Sequence, residues 1–429
     1  MTTKPYTDPD IGKTPQQLFA ERNTRVLNAL QLKQPDRIPV QLFMSYMLPD
    51  MYGVTHQEVQ ENKDKELELL EKAGAYFQPD IIWGVLNNPY VGTTLALKDV
   101  TTKFPGHSGL SPHGSYQFVE DEYMKPEEYD DFIDDPADWA IRKYWPRVFK
   151  ELEGLSMLPP LGMAAFGTYG ISNISFLKIP PIAAAFEALA RAADTQAAMD
   201  ARTQETVGKM ISLGFAPPPI AGALVEAPFD LIADLLRGMK NMMLDLRRRP
   251  EKILAGVEKV LKFELEYAIA FCKATGLNVT FIPLHRGSDG FMSLPQFEKF
   301  YWPTLKTLML RLIDAGITPV CFYEGTWDQR LKYLAELPKG KTAGWFQSSD
   351  IFKVKEVLGD TMCIMGGMRN TLIQAGSPED VRKFTIELCR KVGKGGGFIM
   401  TTTVGEMEGC KPELVKVWVD TTKEYGVYA

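Results

Sequence analysis

The sequence predicts an α/β protein folded as a (β/α)8 TIM barrel, with a long insertion between the second and third strands. From residue 216 onward, short apolar β-branched runs alternate with amphipathic stretches, as in parallel strands joined by helices. Two further strand and helix units near the start bring the number of units to eight. No glycine-rich turn follows the first strand, which disfavours an open nucleotide-binding sheet.

Composition narrows the class of protein. Of 429 residues, 45% are hydrophobic and 24% charged, which is typical of a soluble globular protein. The net charge is −6 and no basic run is interleaved with aromatics, so we expect no nucleic-acid partner. The N-terminus lacks the apolar core of a signal peptide and no run approaches a membrane span, so we expect no membrane partner. Five scattered cysteines without a CxxC pair predict reduced thiols and a cytoplasmic protein.

The first elements can be read in order. Residues 1–33 are expected to form a tail and one helix, Pro15 to Leu32, ahead of a barrel that spans 34–429. PDRIPVQLFM reads as a turn and the first strand. After Gly53, THQEVQENKDKELELLEKAGAYF reads as a capped amphipathic helix, and Pro79 to Leu86 reads as the second strand.

Residues 87–215 interrupt this alternation. They contain turn-rich pieces, possible antiparallel strands around Ser115 to Glu120, an acidic span and a helix from Ile182 to Leu213. A segment of this length is too long for an ordinary loop. We therefore expect an inserted subdomain or lid.

The remaining strands and helices alternate regularly. The strands are predicted at about 218–226, 278–285, 318–325, 342–349, 361–368 and 396–403. Helices are predicted between them at Phe229 to Leu246, Glu251 to Thr275, Leu294 to Ala315 and Pro378 to Val392.

Two strand ends carry the candidate catalytic residues. Active sites of such barrels lie at the C-terminal ends of the strands. His285 ends the fourth strand and Glu324 the fifth, so both are expected at one rim and are suitable zinc ligands. Glu226, Glu406 or Cys410 would have to supply a third ligand. The structural alternative is a His–Glu hydrogen bond, or an Arg286–Glu324 ion pair, that only closes the rim.

Alternation along the fifth strand separates its side chains. Phe322 and Glu324 point one way, and Cys321 and Tyr323 point the other. An acid at this position is costly unless a charged or hydrogen-bonding group meets it. Cys321 is expected in the core.

A substrate pocket is expected near the first two strands, where aromatic and methionine side chains gather. Asn87, Asn88 and Arg369 with Asn370 are further polar residues at strand ends. No GxSxG, HExxH or paired CxxC spacing occurs, so serine-hydrolase and zincin chemistry have no support. The expected substrate contacts are Phe43, Tyr46, Trp83, Arg286 and Tyr323.

Several segments carry a family resemblance. RVLNALQLKQPDRIPV (25–40), FDLIADLLRGMKNMMLDLRRRPEKI (229–253), GFMSLPQFEKFYWPTLKTLM (290–309), LPKGKTAGWFQSSDIFKVKEVLGD (337–360) and the segment from GGGFIMTTT to KEYG (395–426) resemble the uroporphyrinogen decarboxylase superfamily. The resemblance covers the chain apart from parts of 90–215. It implies a single (β/α)8 barrel.

The superfamily implies two activities. Its decarboxylases grip an acidic tetrapyrrole with an arginine-rich N-terminal segment, where this chain offers Arg22, Arg25 and Arg37. Its corrinoid-dependent methyltransferases bind zinc through a His-x-Cys pair and a later Cys. The pair aligns with Phe322 and Glu324 in this chain, and Thr403 and Val404 stand at the position of the later Cys. The thiolate site that activates a thiol is thus not preserved.

The resemblance implies a methyltransferase for another substrate. We expect methyl transfer from a small methylated substrate, a methoxylated aromatic above all, to the cobalt of a corrinoid. Because the chain has no DxHxxG motif, a separate corrinoid protein is the expected partner. The alternatives are a decarboxylase of an acidic, tetrapyrrole-like substrate and a non-catalytic binding barrel.

Overall fold

A computed structural model describes residues 8–84, 90–164 and 167–428. Its strands are β1 (Gln41–Phe43), β2 (Ile81–Trp83), β3 (Thr102–Lys103), β4 (Gln117–Phe118), β5 (Ala223–Leu224), β6 (Val279–Leu284), β7 (Thr318–Tyr323), β8 (Ala343–Phe346), β9 (Cys363–Met368) and β10 (Phe398–Thr402). The predicted second strand is shorter than expected. The predicted end of this strand, at residues 85–86, lies outside the described residues, as do Asn87 and Asn88.

The α-helices fill the intervals between strands. They are α1 (Pro15–Leu30), α2 (Met47–Tyr52), α3 (His56–Glu61), α4 (Lys63–Phe77), α5 (Val91–Leu97), α6 (Tyr129–Asp134), α7 (Pro136–Trp139), α8 (Trp145–Val148), α9 (Gly167–Ile171), α10 (Pro180–Ser212), α11 (Pro228–Asp230), α12 (Met239–Arg248), α13 (Pro250–Thr275), α14 (Leu294–Gln296), α15 (Trp302–Asp314), α16 (Leu331–Leu334), α17 (Ile351–Leu358), α18 (Asn370–Ala375), α19 (Pro378–Lys391) and α20 (Pro412–Tyr425). Single π-helical turns cover Ala140–Tyr144, Leu231–Arg237 and Phe297–Tyr301.

Three predicted helices are interrupted. The helix after Gly53 breaks at Asn62, whose extended backbone ends α3 and whose side chain accepts a hydrogen bond from Lys65 N to cap α4. The helix predicted from Phe229 breaks at Gly238, which has a φ of 72°. The helix predicted from Leu294 contains the π turn at Phe297–Tyr301.

The parallel strands form two sheets. One has the order β10-β9-β8-β7-β6-β5, and the other pairs β1 with β2. A parallel bridge between Val40 and Met400 places β1 beside β10. No strand ladder joins β2 to β5 in the described residues, although Ala216 N donates to Asp80 O next to β2. The predicted parallel strand and helix alternation is confirmed, but a closed ring is not seen.

The apolar core has two layers. The inner cluster packs side chains from α1 and from strands of both sheets, including Val26, Phe43, Val320 and Trp345. The outer cluster fills the space between the strands and the helices, and it includes Cys321 and Tyr323. Val320 and Cys321 therefore point to opposite sides of β7, as period-two alternation requires.

The N-terminal ends of the strands carry a buried ionic network. Arg22, Arg25 and Arg37 are 0%, 2% and 3% exposed. Asp80 pairs with Arg25 and, at 2.7 Å, with Arg37, while Arg22 contacts Asp10 at 3.0 Å. Burial opposes ionisation of Asp80, but the arginines outweigh it and hold its pKa well below the usual range. These arginines join the first helix to the first two strands.

Residues between β2 and β5 have a small core of their own. Leu97, Leu152 and Leu155 pack there against Ile182 and neighbouring alanines of α10. In the short antiparallel pair, β4 lies in the range Ser115 to Glu120 where strands were predicted, and its partner β3 lies earlier in the chain. No helix in the described ranges is long and apolar enough to cross a membrane. All five cysteines are free and buried.

Candidate active site

His285 and Glu324 lie side by side at the C-terminal ends of β6 and β7. The ladder pairs Leu284 with Tyr323, and Glu324 N then donates to Leu284 O at 3.1 Å, so the next residues face each other. His285 Nε2 lies 3.2 Å from Glu324 Oε1. The side chains are 30% and 35% exposed, so both can be reached from outside.

Two aspartates behind β6 fix the histidine. Asp234 Oδ2 lies 2.6 Å from His285 Nδ1, so Asp234, His285 and Glu324 form a continuous chain. Asp230 is fully buried and accepts hydrogen bonds from the backbone N–H groups of His285 and Arg286 at 2.8 and 3.1 Å. Tyr301 donates its hydroxyl to the same carboxylate at 2.7 Å. Both the ring and the backbone of His285 are therefore held in place.

The charge state of His285 follows from these contacts. Burial by itself lowers the pKa of His285, but the hydrogen bonds to Asp234 and Glu324 outweigh it and raise the pKa to about 12. His285 is therefore an imidazolium at neutral pH, hydrogen-bonded to Asp234 through Nδ1 and ion-paired with Glu324 through Nε2. Burial and then the charge of Asp234 raise the pKa of Asp230 to about 7.

Glu226 adds a buried carboxyl to this group. It follows β5, which runs beside β6, and its Oε2 has no hydrogen-bond partner in the described part of the chain. Burial and then the nearby charge of Asp234 raise the pKa of Glu226 to about 8. Burial likewise raises the pKa of Glu264, on α13 next to Glu226, to about 8. Glu226 therefore holds a proton at neutral pH.

The loop after β10 brings Glu406 close enough to Glu324 for their charges to interact. Burial raises the pKa of Glu406, and the charge of Glu324 adds to the increase, which places the two carboxyl groups in the same region. Gly405 allows this loop to come close to the strands, because a Cβ there would lie 2.5 Å from Phe43 Cδ1. Phe43 thus lies directly beneath the loop, as part of the inner cluster.

Three other residues that were expected to contact the substrate, Tyr46, Trp83 and Arg286, are packed against or paired with neighbouring residues. Tyr46 is fully buried, and its hydroxyl accepts a hydrogen bond from Tyr116 N at 2.8 Å. Trp83 packs against the inner cluster and lines a cavity of about 40 Å³ between α4 and α10. Arg286 pairs with Asp234 and, at 3.3 Å, with Glu120.

The structure places Tyr323 at the end of β7 but on the side of the sheet that faces the helices. It is fully buried in the outer cluster and stacks on Phe346 with ring centroids 4.6 Å apart. It faces the helices, because it occupies the face of β7 opposite to Glu324. The expectation that Tyr323 contacts substrate does not agree with this position.

The predicted metal ligands are only partly brought together. His285 and Glu324 are adjacent, whereas Cys410 is buried in the outer cluster, where burial raises the pKa of its thiol to about 12. No group of three or more His, Cys, Asp or Glu side chains in the described ranges is placed to hold a metal ion. The described residues therefore do not form a complete zinc site.

Sequence reasoning missed Asp230 and Asp234. Both stand in the apolar run PFDLIADLL directly after β5, four residues apart and thus on one side of a helical turn. Two acids on one face of a buried helix require partners. That pattern, together with a histidine at the next strand end, is the signal that would have found them.

The fold has a counterpart among solved structures. A structure described as a methyltransferase from Methanosarcina mazei matches with a TM-score of 0.59 and 15% sequence identity. The match covers 94% of this chain and 99% of that one. At this identity it shows a shared fold.

Sequence comparison gives the family. No curated protein matches the chain. The sequence model described as Uroporphyrinogen decarboxylase (URO-D) matches residues 205–425, just over half of the chain, and this range contains His285 and Glu324. The chain belongs to the uroporphyrinogen decarboxylase family.

Proposed function

We propose that this protein is a methyltransferase that takes a methyl group from a small methylated compound, in the first place a methoxylated aromatic, and delivers it to the cobalt of a corrinoid held by a separate protein. The observation that carries the proposal is the chain Asp234–His285–Glu324 at the strand ends, in which His285 is hydrogen-bonded to Asp234 and ion-paired with Glu324. The solved structure that shares the fold is described as a methyltransferase, which agrees with this activity.

Methyl transfer from an ether requires this chain to assist the departure of the oxygen. The bond between methyl and oxygen breaks, the acceptor takes the methyl group, and the oxygen that leaves takes up one proton. A phenolate leaves more readily when a proton or a positive charge meets its oxygen. The imidazolium of His285 supplies the charge, since Asp234 on its other nitrogen keeps it protonated and oriented.

Glu226 is the proton donor that we assign to this step. Its carboxyl is buried near the charge of His285, and no group in the described part of the chain is hydrogen-bonded to its Oε2, so a turn of the side chain toward the strand ends would bring this oxygen to the substrate. Glu324, which is 35% exposed, would orient the exposed side of the imidazolium and receive the substrate from solvent. Each role depends on position at the same strand ends.

Zinc remains a proposal of its own. His285 and Glu324 supply two donors, and zinc would polarise the ether oxygen if a further ligand came from elsewhere. We derive no step through the metal, because the described residues do not complete its site. Metal analysis of the purified protein tests this: stoichiometric zinc that is lost in both His285→Ala and Glu324→Ala supports it, and its absence from wild type contradicts it.

Decarboxylation of an acidic tetrapyrrole is the weaker candidate. Such a substrate would need several arginines with free guanidinium groups. Arg22, Arg25 and Arg37 are buried and paired at the N-terminal ends of the strands, opposite to His285. They are already used to hold the fold together.

The proposal also includes a closed barrel and a compartment. We propose that the eight parallel strands close into a TIM barrel with the residues between β2 and β5 as its insertion. The single bridge from Val40 to Met400 supports closure on one side. We propose a cytoplasmic location, which agrees with five free cysteines.

The direct test is methyl transfer. The protein is incubated with a reduced corrinoid protein and aryl methyl ethers, methylamines or methanol, and the change in cobalt absorbance is followed. The expected result is methyl-cobalt formation from an aryl methyl ether, lost in His285→Ala. No methyl-cobalt from any donor contradicts the proposal and favours a non-catalytic barrel. Methyl-cobalt formation at the wild-type rate by stable His285→Ala and Glu324→Ala proteins contradicts the roles assigned to these residues.

A further inference from the structure

A polar cleft opens beside the candidate active site, where β8, β9 and β10 end. It has a volume of about 530 Å³, and Gln347, Ser348, Arg369, Asn370 and Thr403 are among its lining residues. A volume of this size is in the range of small-molecule sites. The functional site as described above uses none of these side chains.

Arg369 is the cationic group of this cleft. Its guanidinium carbon lies 4.5 Å from the ring centroid of Phe384, which fixes the plane of the guanidinium. No carboxylate lies within ion-pairing distance of Arg369 in the described part of the chain. Asp350 also lines the cleft, but its carboxylate caps α17 by accepting hydrogen bonds from Phe352 N and Lys353 N at 3.0 and 3.4 Å.

The walls of the cleft are continuous with the strand ends that carry the acids. Gln347 Oε1 accepts a hydrogen bond from the backbone N–H of Gly325, the residue after Glu324, at 2.6 Å. On the other side, Asn370 Nδ2 donates to Glu406 O at 3.4 Å. Two residues of the cleft wall are therefore hydrogen-bonded to the backbone next to Glu324 and to that of Glu406.

We propose that this cleft binds the carboxylate of the methylated substrate, so that the substrate class is methoxylated aromatic acids. This inference rests on the proposed function. A guanidinium fork matches a carboxylate through two parallel N–H···O bonds, and the hydroxyls of Ser348 and Thr403 add donors. The aromatic ring then extends toward Glu324. Inorganic phosphate would use the same chemistry and is the competing ligand.

The test is calorimetric titration of the intact protein with 4-methoxybenzoate, with the neutral ether 4-methoxytoluene, and with inorganic phosphate. We expect 4-methoxybenzoate to bind more tightly than the neutral ether. In Arg369→Met we expect its affinity to fall about 10- to 100-fold, the range of a charged hydrogen bond. The matched control is Arg382→Met, because Arg382 also stacks on an aromatic ring, Tyr425 at 5.0 Å, but outside the lining residues of the cleft.

Three outcomes overturn the inference. These are equal affinity for the acid and the neutral ether, unchanged affinity in a folded Arg369→Met protein, and binding of phosphate without binding of 4-methoxybenzoate. The titration needs no corrinoid protein. Arg369-dependent binding of the acid without methyl transfer from any donor would therefore count against the proposed function and not against the anion subsite.

Discussion

His285 and Glu324 end adjacent strands and face each other, with Nε2 and Oε1 3.2 Å apart. The contact exists because the register of β6 and β7 pairs Leu284 with Tyr323, which puts the next residue of each strand at the same level. Asp234 occupies the other ring nitrogen, so the imidazolium bridges two carboxylates. An ion pair that only closed the rim would need no aspartate behind it.

The first prediction concerns Glu324. In Glu324→Gln the imidazolium loses its partner on the exposed side and is no longer oriented toward the substrate. We expect kcat/KM for methyl transfer to fall about 10²-fold or more, the usual scale for a group that acts in acid–base catalysis. The assay is methyl-cobalt formation by absorbance. The control is Glu336→Gln, which removes an exposed partner of Lys306 in the segment that leads into the N-terminal end of β8. Equal rates for the two variants would refute the role of Glu324.

The second prediction concerns the protonation of His285. Hydrogen bonds to Asp234 and Glu324 raise the pKa of His285 to about 12 against the effect of burial. Its imidazole resonances should therefore not shift between pH 5.5 and 8.5 in NMR spectra, which are tractable because the chain has four histidines. In Asp234→Asn the pKa should fall toward about 6.5 and the resonances should titrate. Titration of His285 near pH 6.5 in wild type would contradict the bridge.

The sequence predicted the part of the site that depends on strands. His285 and Glu324 each follow an apolar run, and the carboxyl ends of neighbouring parallel strands meet at one edge, so local pattern was enough to pair them. The strand faces followed from alternation, which also places Tyr323 on the helix side, against its expected role.

The rest depended on contacts between distant segments. Glu120 reaches Arg286 from the segment between β2 and β5, and no local pattern encodes such a contact. From the sequence, the three N-terminal arginines could be taken for part of a binding site for an acidic substrate. Their actual partners are Asp10, Asp36 and Asp80, and a sequence cannot show whether a guanidinium is buried.

The third prediction concerns pH and Glu264. Burial raises the pKa of Glu264 to about 8, so between about pH 4.3 and 8 the folded protein holds a proton that the unfolded chain has released. The free energy of unfolding therefore falls as pH rises through this window. Glu264→Gln should raise the free energy of unfolding by about 1 kcal/mol at pH 5 and by up to about 5 kcal/mol at pH 9, the full effect of a pKa shift from about 4.3 to about 8. Urea unfolding at pH 5, 7 and 9 measures it.

The control for that experiment is Glu266→Gln, an exposed position two residues further along α13. Glu266→Gln should not change how the free energy of unfolding depends on pH. Glu226 also has a raised pKa and is present in both variants. Glu264→Gln should therefore make the free energy of unfolding fall less steeply as pH rises, without abolishing the fall. If the free energy of unfolding fell equally steeply with pH in wild type and in Glu264→Gln, Glu264 would not be the group that holds the proton in the folded protein.

The fourth prediction concerns Asp80 and the buried arginines. Asp80→Asn leaves Arg25 and Arg37 without the fully buried carboxylate that both of them contact, and an uncompensated buried charge is costly. We expect the free energy of unfolding to fall by about 3 to 5 kcal/mol, measured by urea unfolding at pH 7. Asp64→Asn is the control: its partner Arg202 is on the surface, so the change should stay within about 0.5 kcal/mol.

The same network separates a structural role from a substrate role. If Arg25 and Arg37 held a substrate instead of Asp80, Asp80→Asn would change substrate affinity and leave the unfolding midpoint in place. With the carboxylate 0% exposed and both guanidinium groups at most 3% exposed, we expect the opposite result. Binding of 4-methoxybenzoate to the protein that remains folded should match wild type, because the network lies at the N-terminal ends of the strands while His285 and Glu324 lie at the other end.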